Sequence, residues 1–261
     1  MGRVGRVGRV GKTLIAIAAT VLVATTAAQE KPLPDRQKFY EAARARLERS
    51  QARQSAFSYI ERRRELHTNP FGRLGSGAGT EEYRVEPQPD GGNARTLIAR
   101  DGKPVSGAPT TRSRPRTRAS RSAVADTADA LDLALDHREH HGGRDLIVVT
   151  FAPKPDADPQ TREGRLARQF RGRIFVDEAE AEVVRVEATA IDDITYGLGV
   201  VARLNKGATV TLVRERIDGD TWLPTSIRLS GEGRAMVFRK LRVDHVIEWF
   251  DYRRLAQVRV E

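Results

Sequence analysis

Three histidines within five residues, in the stretch LDHREHHGG, are the first group in this 261-residue chain that could do chemistry. His137, His140 and His141 stand beside Asp136 and Glu139, so two imidazoles and a carboxylate could meet at a metal ion if the backbone turned them to one side. Neither zinc-protease pattern fits. In H-x-x-E-H the acid is third after the first histidine, whereas Glu139 is second after His137, and H-E-x-x-H does not occur. Histidines at the C-terminal end of a helix are favoured by its dipole and free carbonyls. A solvated helix end is therefore the reading of this cluster, and no metal ligand or cofactor is assigned. His67 and His245 have no neighbours at ligand spacing.

Other motifs fail on spacing. Gly11-Lys12-Thr13 has the tail of a phosphate-binding loop, but the position five residues before its glycine, where the motif needs another, is Arg6. No serine sits in a G-x-S-x-G turn. Asp192 and Asp193 are adjacent, so in a strand they would point to opposite faces, and they read as a turn. No catalytic residue is assigned, and the chain reads as a non-enzyme.

What surrounds Lys12 explains it better. Arg3, Arg6, Arg9 and Lys12 form a basic start, residues 14–23 an uncharged apolar run, and Thr26-Ala27-Ala28 a small-residue site. Ten apolar residues are too few for a membrane helix, which needs about 20, but they suit the core of a secretory signal. The expected cut follows Ala28. No Arg-Arg pair precedes the run and the chain has no cysteine for lipid attachment, so residues 29–261 read as one exported, periplasmic domain.

Formal net charge is +10, but it is unevenly placed. Removing the signal's four basic residues and Arg112, Arg114, Arg116, Arg118 and Arg121 leaves a body near neutrality. That weakens a nucleic-acid reading. The arginine-rich stretch lies within residues 106–122, rich in Pro, Ser and Thr, and reads as a flexible loop. It is first a solvated linker and second a contact for anionic lipid headgroups. With no disulfides available, stability has to come from a core.

Around that loop, residues 35–54 read as an amphipathic helix with Phe39, Ala42, Ala43, Arg46 and Leu47 at spacings of three and four and Asp35 as N-cap. SAFSYIERRREL is a strand whose Arg62, Arg63 and Arg64 read as its solvated end. Ala130, Leu131, Ala134 and Leu135 suggest a second helix over residues 123–141, stopped by Gly142-Gly143. After DLIVVTFAP and a charged helix running to Phe170 comes a meander of strands with turns such as Asp218-Gly219-Asp220. In these strands Ile174, Val176, Val184, Val186, Val210, Leu212, Ile227 and Leu229 alternate with polar residues, giving one apolar and one wet face. Such a sheet must close, pair with another, or wrap helices; the two or three helices expected here favour wrapping.

The order helix, strands, helix and loop, with the GRIFVD hairpin, the WLPTSIRL strand and the closing EWFDYRRL, resembles the exported bacterial branch of the outer-membrane lipoprotein-sorting (LolA/LolB-like) superfamily. Phe175-Val176-Asp177 and Trp222-Leu223-Pro224 carry the likeness, which covers residues 145–254. It implies an α+β fold in which a large curved antiparallel sheet, an open half-barrel, wraps the helices around an apolar cavity for acyl chains. The eight apolar residues above would line that cavity. No lid-latching cavity arginine is matched, and the arginine-rich loop is an insertion.

The expected function is thus binding of a lipid, acyl chain or lipid-modified protein by a periplasmic monomer, as carrier or sensor, without nucleic acid. The alternative is an envelope protein-interaction module using the concave sheet face. The mature chain is expected to begin at Gln29; terminal sequencing of protein from a soluble envelope fraction checks this, and retention of Met1 in the cytoplasm would refute it.

Overall fold

Asp35 opens the first helix as its sequence suggests: its carboxylate accepts from the Lys38 backbone N–H at 3.0 Å, and α1 runs Arg36–Gln54. The computed structural model describes residues 31–66, 79–107, 110–112, 119–196, 202–235 and 239–255. The expected signal at 1–28, His67 and residues 113–118 of the arginine-rich stretch lie outside them. Leu33–Glu261 is one compact unit.

After α1 come β1 (Phe57–Glu65), β2 (Gly79–Pro87), β3 (Asn93–Arg100), β4 (Lys103–Pro104) and β5 (Thr110–Arg112). Then α2 (Ala119–Asp129), β6 (Leu131–His141), β7 (Arg144–Pro153), α3 (Arg162–Ala167), β8 (Phe170–Asp177) and β9 (Val183–Ala190) follow. The chain ends its described part with β10 (Ile194–Tyr196), β11 (Ala202–Leu204), β12 (Thr209–Asp218), β13 (Thr221–Ala235) and β14 (Arg239–Arg254). Among the described residues these strands form one 14-stranded antiparallel sheet whose main path runs β4-β3-β2-β1-β14-β13-β12-β9-β8-β7-β6. Its two ends do not pair, so the sheet is open. With three helices it is the α+β architecture expected.

Three expectations change. Residues 131–141 are strand, not helix. Leu131, Leu133 and Leu135 alternate with Asp132, Ala134 and Asp136, and the run pairs residue by residue with β7 from Leu131↔Pro153 to His141↔Arg144. Gly142 and Gly143, expected to stop a helix, are instead the two central residues of a hairpin turn, at φ +57° and +77°. Positive φ at both positions matches the twist of the flanking strands and suits glycine. The arginine-rich stretch is also more ordered than a loop at its ends: Arg112 pairs with Ala94 in β5–β3, and α2 already includes residue 121. Lastly, Arg62, Arg63 and Arg64 are not a solvated strand end. β1 lies between β2 and β14, so Arg62 meets Glu82 at 2.8 Å, Arg63 meets Glu61 at 2.5 Å and Arg64 meets Glu248 at 3.0 Å.

Residues opposite one another in an antiparallel pair share a face. The registers therefore draw a row across the sheet, Leu135, Val149, Ile174, Val186, Leu212, Ile227 and Ile247, which becomes charged at Arg63 and Glu81 on β1 and β2. This is the inner face: Phe39 of α1 packs on Ile147, Val149, Val176 and Val183 there. The other face carries a small cluster of its own, Leu146, Val148 and Phe175.

Close strand approach in the neighbouring inner row depends on Gly172, which pairs with Phe151 and Ala188. A Cβ there would sit 1.9 Å from the Glu187 carbonyl oxygen, which is backbone and cannot step aside. Gly172→Ala is expected to lower stability by about 1–3 kcal/mol or more through strand displacement, read as a lower urea midpoint with little change in slope; an unchanged midpoint would show that β8 and β9 can separate freely.

Candidate functional site

On α1 the residues Phe39, Tyr40, Ala43, Leu47 and Gln51 recur every three or four positions, so they form one stripe along the helix. They do not seal against the sheet. Between this stripe, Ala123, Val124, Thr127 and Ala128 of α2, and the inner face of β6 to β9 lies a cavity of about 500 Å³. Leu131, Leu133, Val149, Ile174, Val176 and Val183 form its sheet wall. A volume of this order is that of a site for one small ligand.

Of the eight residues read from alternation, Ile174 and Val176 line this cavity. Val186, Val210 and Leu229 belong instead to packing beside it, against the cluster of Phe151, Phe170, Ile194 and Leu204. Leu212 and Ile227 follow Val186 in the inner row and are half-buried. Val184 is on the other side of the sheet, against Leu146, Val148 and Phe175. The reason is a β-bulge: Phe175 pairs with Arg185 but Val176 with Val183, so Val184 is the extra residue and the alternation slips by one. Val183 takes the inner place. The walls given by α1, α2 and β6 were missed; the Phe39, Ala43, Leu47 stripe was the available signal for the first of them.

Polar contacts at both helices hold the roof. At the C-terminal end of α1, Ser50 Oγ donates to Glu182 Oε1 at 3.1 Å, and the other Glu182 oxygen accepts from Arg214 at 3.3 Å. Arg214 also donates to the Val183 carbonyl at 2.7 Å and the Trp222 carbonyl at 2.8 Å. All three side chains are buried, and burial lowers the Arg214 pKa while Glu182 opposes it. Arg53, one turn on, hydrogen-bonds Asp220. For α2, Asp126 accepts from Thr161 N at 2.8 Å, Gln160 N at 3.0 Å and Thr161 Oγ1 at 2.5 Å. These Thr161 bonds first, then that from Gln160, hold the Asp126 carboxyl below the usual carboxylate range.

The residues of the sequence motifs serve the scaffold. Asp177 accepts from the Ala179 and Glu180 N–H groups at 3.0 Å, capping the β8–β9 turn, and meets Arg144 at 2.9 Å. Trp222 Nε1 donates to Glu180 at 3.0 Å, with Arg144 4.9 Å from its ring. Tyr252 donates to the Pro224 carbonyl at 2.6 Å, and burial raises its pKa far above the ordinary phenol value. Asp193 accepts from Lys206 N at 2.6 Å, tying the β9–β10 connection to the one between β11 and β12. His137 and His140 are exposed on an edge strand, beside Asp136 and Asp145 respectively; His245 meets Glu65 at 2.5 Å. Among the described residues no group of three His, Cys, Asp or Glu is placed to hold a metal ion.

No family model and no curated protein matches the sequence. Solved structures do. A LolA superfamily protein from Nitrosomonas europaea is similar over 86% of this chain and 95% of its own, at 12% identity and TM-score 0.39. A DUF1329 family protein from Desulfovibrio piger covers 86% and 94%, at 14% identity and TM-score 0.39. The MucA/MucB complex of Pseudomonas aeruginosa covers 82% and 99%, at 11% identity and TM-score 0.26. The open 14-stranded antiparallel sheet with its helices is itself the α+β architecture that the resemblance carried by GRIFVD and WLPTSIRL implies. What the site does is read from this chain's own residues.

Removing Glu182 would strand the Arg214 guanidinium in a buried place. Glu182→Ala is therefore expected to cost about 3–5 kcal/mol, measured by denaturant unfolding, whereas Ser50→Ala should cost about 1 kcal/mol. Equal and small effects of both would mean that the pair is solvated and does not hold α1.

Proposed function

We propose that this protein binds a lipid or other acyl chain in the cavity beneath α1 and α2, as a carrier or sensor of the bacterial envelope. The observation that carries the reading is the wall chemistry. Phe39, Leu47, Val124, Leu133, Val149, Ile174 and Val176 surround about 500 Å³, and apolar surface facing water is an unfavourable arrangement that an apolar guest relieves. A site with mostly hydrophobic lining and a few polar groups is the usual form of a small-ligand pocket.

Export is part of the proposal. It rests on the basic, apolar and small-residue segments of residues 1–28, and no helix among the described residues is long and apolar enough to cross a membrane. The role proposed is binding, not catalysis, with a lipid or lipid-modified protein as the partner. The arginines Arg112, Arg114, Arg116, Arg118 and Arg121 would meet anionic headgroups during delivery.

A fluorescent fatty acid tests the cavity. Val124→Glu and Leu47→Glu place a carboxylate on the two helical walls at half-buried positions, where it can stay partly hydrated, so melting temperature should change little. Probe affinity is expected to fall about tenfold or more, since a charge against an acyl chain loses more than 1.4 kcal/mol. Unchanged uptake by well-folded variants would refute the acyl-chain reading and favour a polypeptide partner on the sheet.

A further inference from the structure

Beyond the last residues that pair with β12 and β1, the β13–β14 hairpin continues as an arm of the sheet. β12 leaves β13 at Thr209↔Ser230 and β1 leaves β14 at Glu65↔His245, whereas β13 and β14 stay paired as far as Ala235↔Arg239. β11 lies along this arm, with Arg203 opposite Arg234 and Leu204 opposite Gly233. Leu204 is buried with Phe151, Phe170 and Ile194, so one face of the arm is fixed on the core. The other face exposes Arg203, Arg234 and Lys240.

These three cations stand in one row across three adjacent strands, because Arg234 is the register partner of both Arg203 and Lys240. Facing residues of an antiparallel pair lie about 5 Å apart, and like charges there repel. Elsewhere the sheet sets acid against base: Arg173 faces Glu187 and donates to it at 2.6 Å, and Arg62 faces Glu82 and donates to it at 2.8 Å. This row is wholly cationic. Asp193 meets Arg203 at 2.8 Å, and Glu232 faces Arg242 two residues further in, but Arg234 and Lys240 form no ion pair among the described residues. Basic residues on an exposed strand edge keep other strands from pairing there, which accounts for Lys240 on β14. It does not account for Arg234, which lies between β11 and β14.

A repulsion that one neutral side chain would relieve is offset when an anion lies over the row. The row is set on an open sheet surface, on the face away from Ile227 and Leu229, so what fits it is an extended anionic surface rather than a small ligand. We infer that this face of the arm docks on a bilayer containing anionic lipids, with Arg203, Arg234 and Lys240 against the headgroup phosphates. Lys206, exposed in the turn after β11, adds to the charge. The choice of a bilayer among polyanions rests on the envelope-carrier reading above, but docking itself needs no occupied cavity. It is a contact in addition to that of the arginine-rich stretch.

Co-sedimentation of the mature protein with vesicles of phosphatidylcholine, with and without phosphatidylglycerol, tests this. Binding is expected only where phosphatidylglycerol is present, and should fade as added salt shortens the screening length. Arg234→Gln combined with Lys240→Gln should weaken it about tenfold or more, the share of two cations in the attraction. Lys38→Gln combined with Arg49→Gln, exposed on α1 and equal in charge removed, should leave binding near the wild-type value. Arg234→Glu puts an acid between Arg203 and Lys240, so it should abolish docking and melt no lower than wild type. Uptake of the fluorescent fatty acid should be unchanged in all of these. Docking that survives in folded Arg234→Glu protein, an equal loss in the α1 control, or equal binding to both kinds of vesicle would overturn the inference. Tighter binding to immobilised polyglutamate than to the vesicles would overturn it in favour of an acidic protein. Wild-type protein that docks without taking up the fatty acid would instead overturn the carrier reading and leave the docking face standing.

Discussion

The cavity exists because α1 is fixed over the sheet without being packed flat on it, and the buried pair of Glu182 and Arg214 does much of that fixing. Two charges taken out of water are tolerable only if their remaining hydrogen-bonding groups find partners. Here Ser50, the Val183 carbonyl and the Trp222 carbonyl supply them. Those partners come from α1, from the start of β9 and from β13, so one local requirement for electrical satisfaction sets the position of three elements. Arg53 on Asp220 and Thr221 adds a second tie near the same helix end. The opposite end of α1, where Arg36 and Tyr40 stand, is not so tied. A helix pinned near its C-terminus and supported by Phe39 on the sheet leaves room along its middle, and that room is the cavity.

The sheet decides on which side of the molecule such a room can be apolar. From β6 to β14 the inner row is Leu, Val, Ile, Val, Leu, Ile and Ile, but on β1 and β2 it continues as Arg63 and Glu81. Of the neighbouring inner positions there, Glu61, Tyr83 and Arg95 are polar or aromatic, with Val85 and Leu97 beside them. Glu61 is buried with Arg63 at 2.5 Å, Arg95 at 2.6 Å and Trp249 Nε1 at 3.2 Å as partners, and Arg95 lies 3.7 Å from the Tyr83 ring centre. Charges paired in this way offset most of the cost of their burial, with Arg95 Nε left without a partner. They give the β1–β3 half a closed surface of ion pairs and rings, with little for an acyl chain to gain. On the proposed function, an apolar guest would lie in the half covered by α1 and α2.

Much of this was legible in the sequence, and the failures have specific causes. The meander from β8 to β14 followed from period-two alternation, and α1 from its stripe and its Asp35 cap. Residues 131–141 misled because Ala130, Leu131, Ala134 and Leu135 satisfy the helical spacing while Leu131, Leu133 and Leu135 satisfy the strand spacing equally well. What separates the two is the partner strand: VVTF of β7 offers a register, and Gly142-Gly143 a two-residue turn that lets the chain take it. Val184 misled differently. A bulge adds one residue to one strand, and alternation read from a single strand cannot reveal it.

The residues that carry the family resemblance and those that line the site are different sets, and this follows from what each must do. Asp177, Trp222, Leu223 and Tyr252 cap a turn, fill the sheet or close it, tasks with one geometric solution, so they stand out as short motifs. Lining an apolar cavity needs only hydrophobic side chains of suitable size, a requirement met by many sequences and thus without a pattern. Ligand discrimination then falls to the few polar groups that break the apolar wall. In α1 these are spaced by the helix itself: Arg36, Tyr40 and Arg44 recur every fourth residue along the cavity. Because the Glu182–Arg214 pair ties the helix at its C-terminal end, the residues that position α1 and those that face the cavity do not compete for the same places.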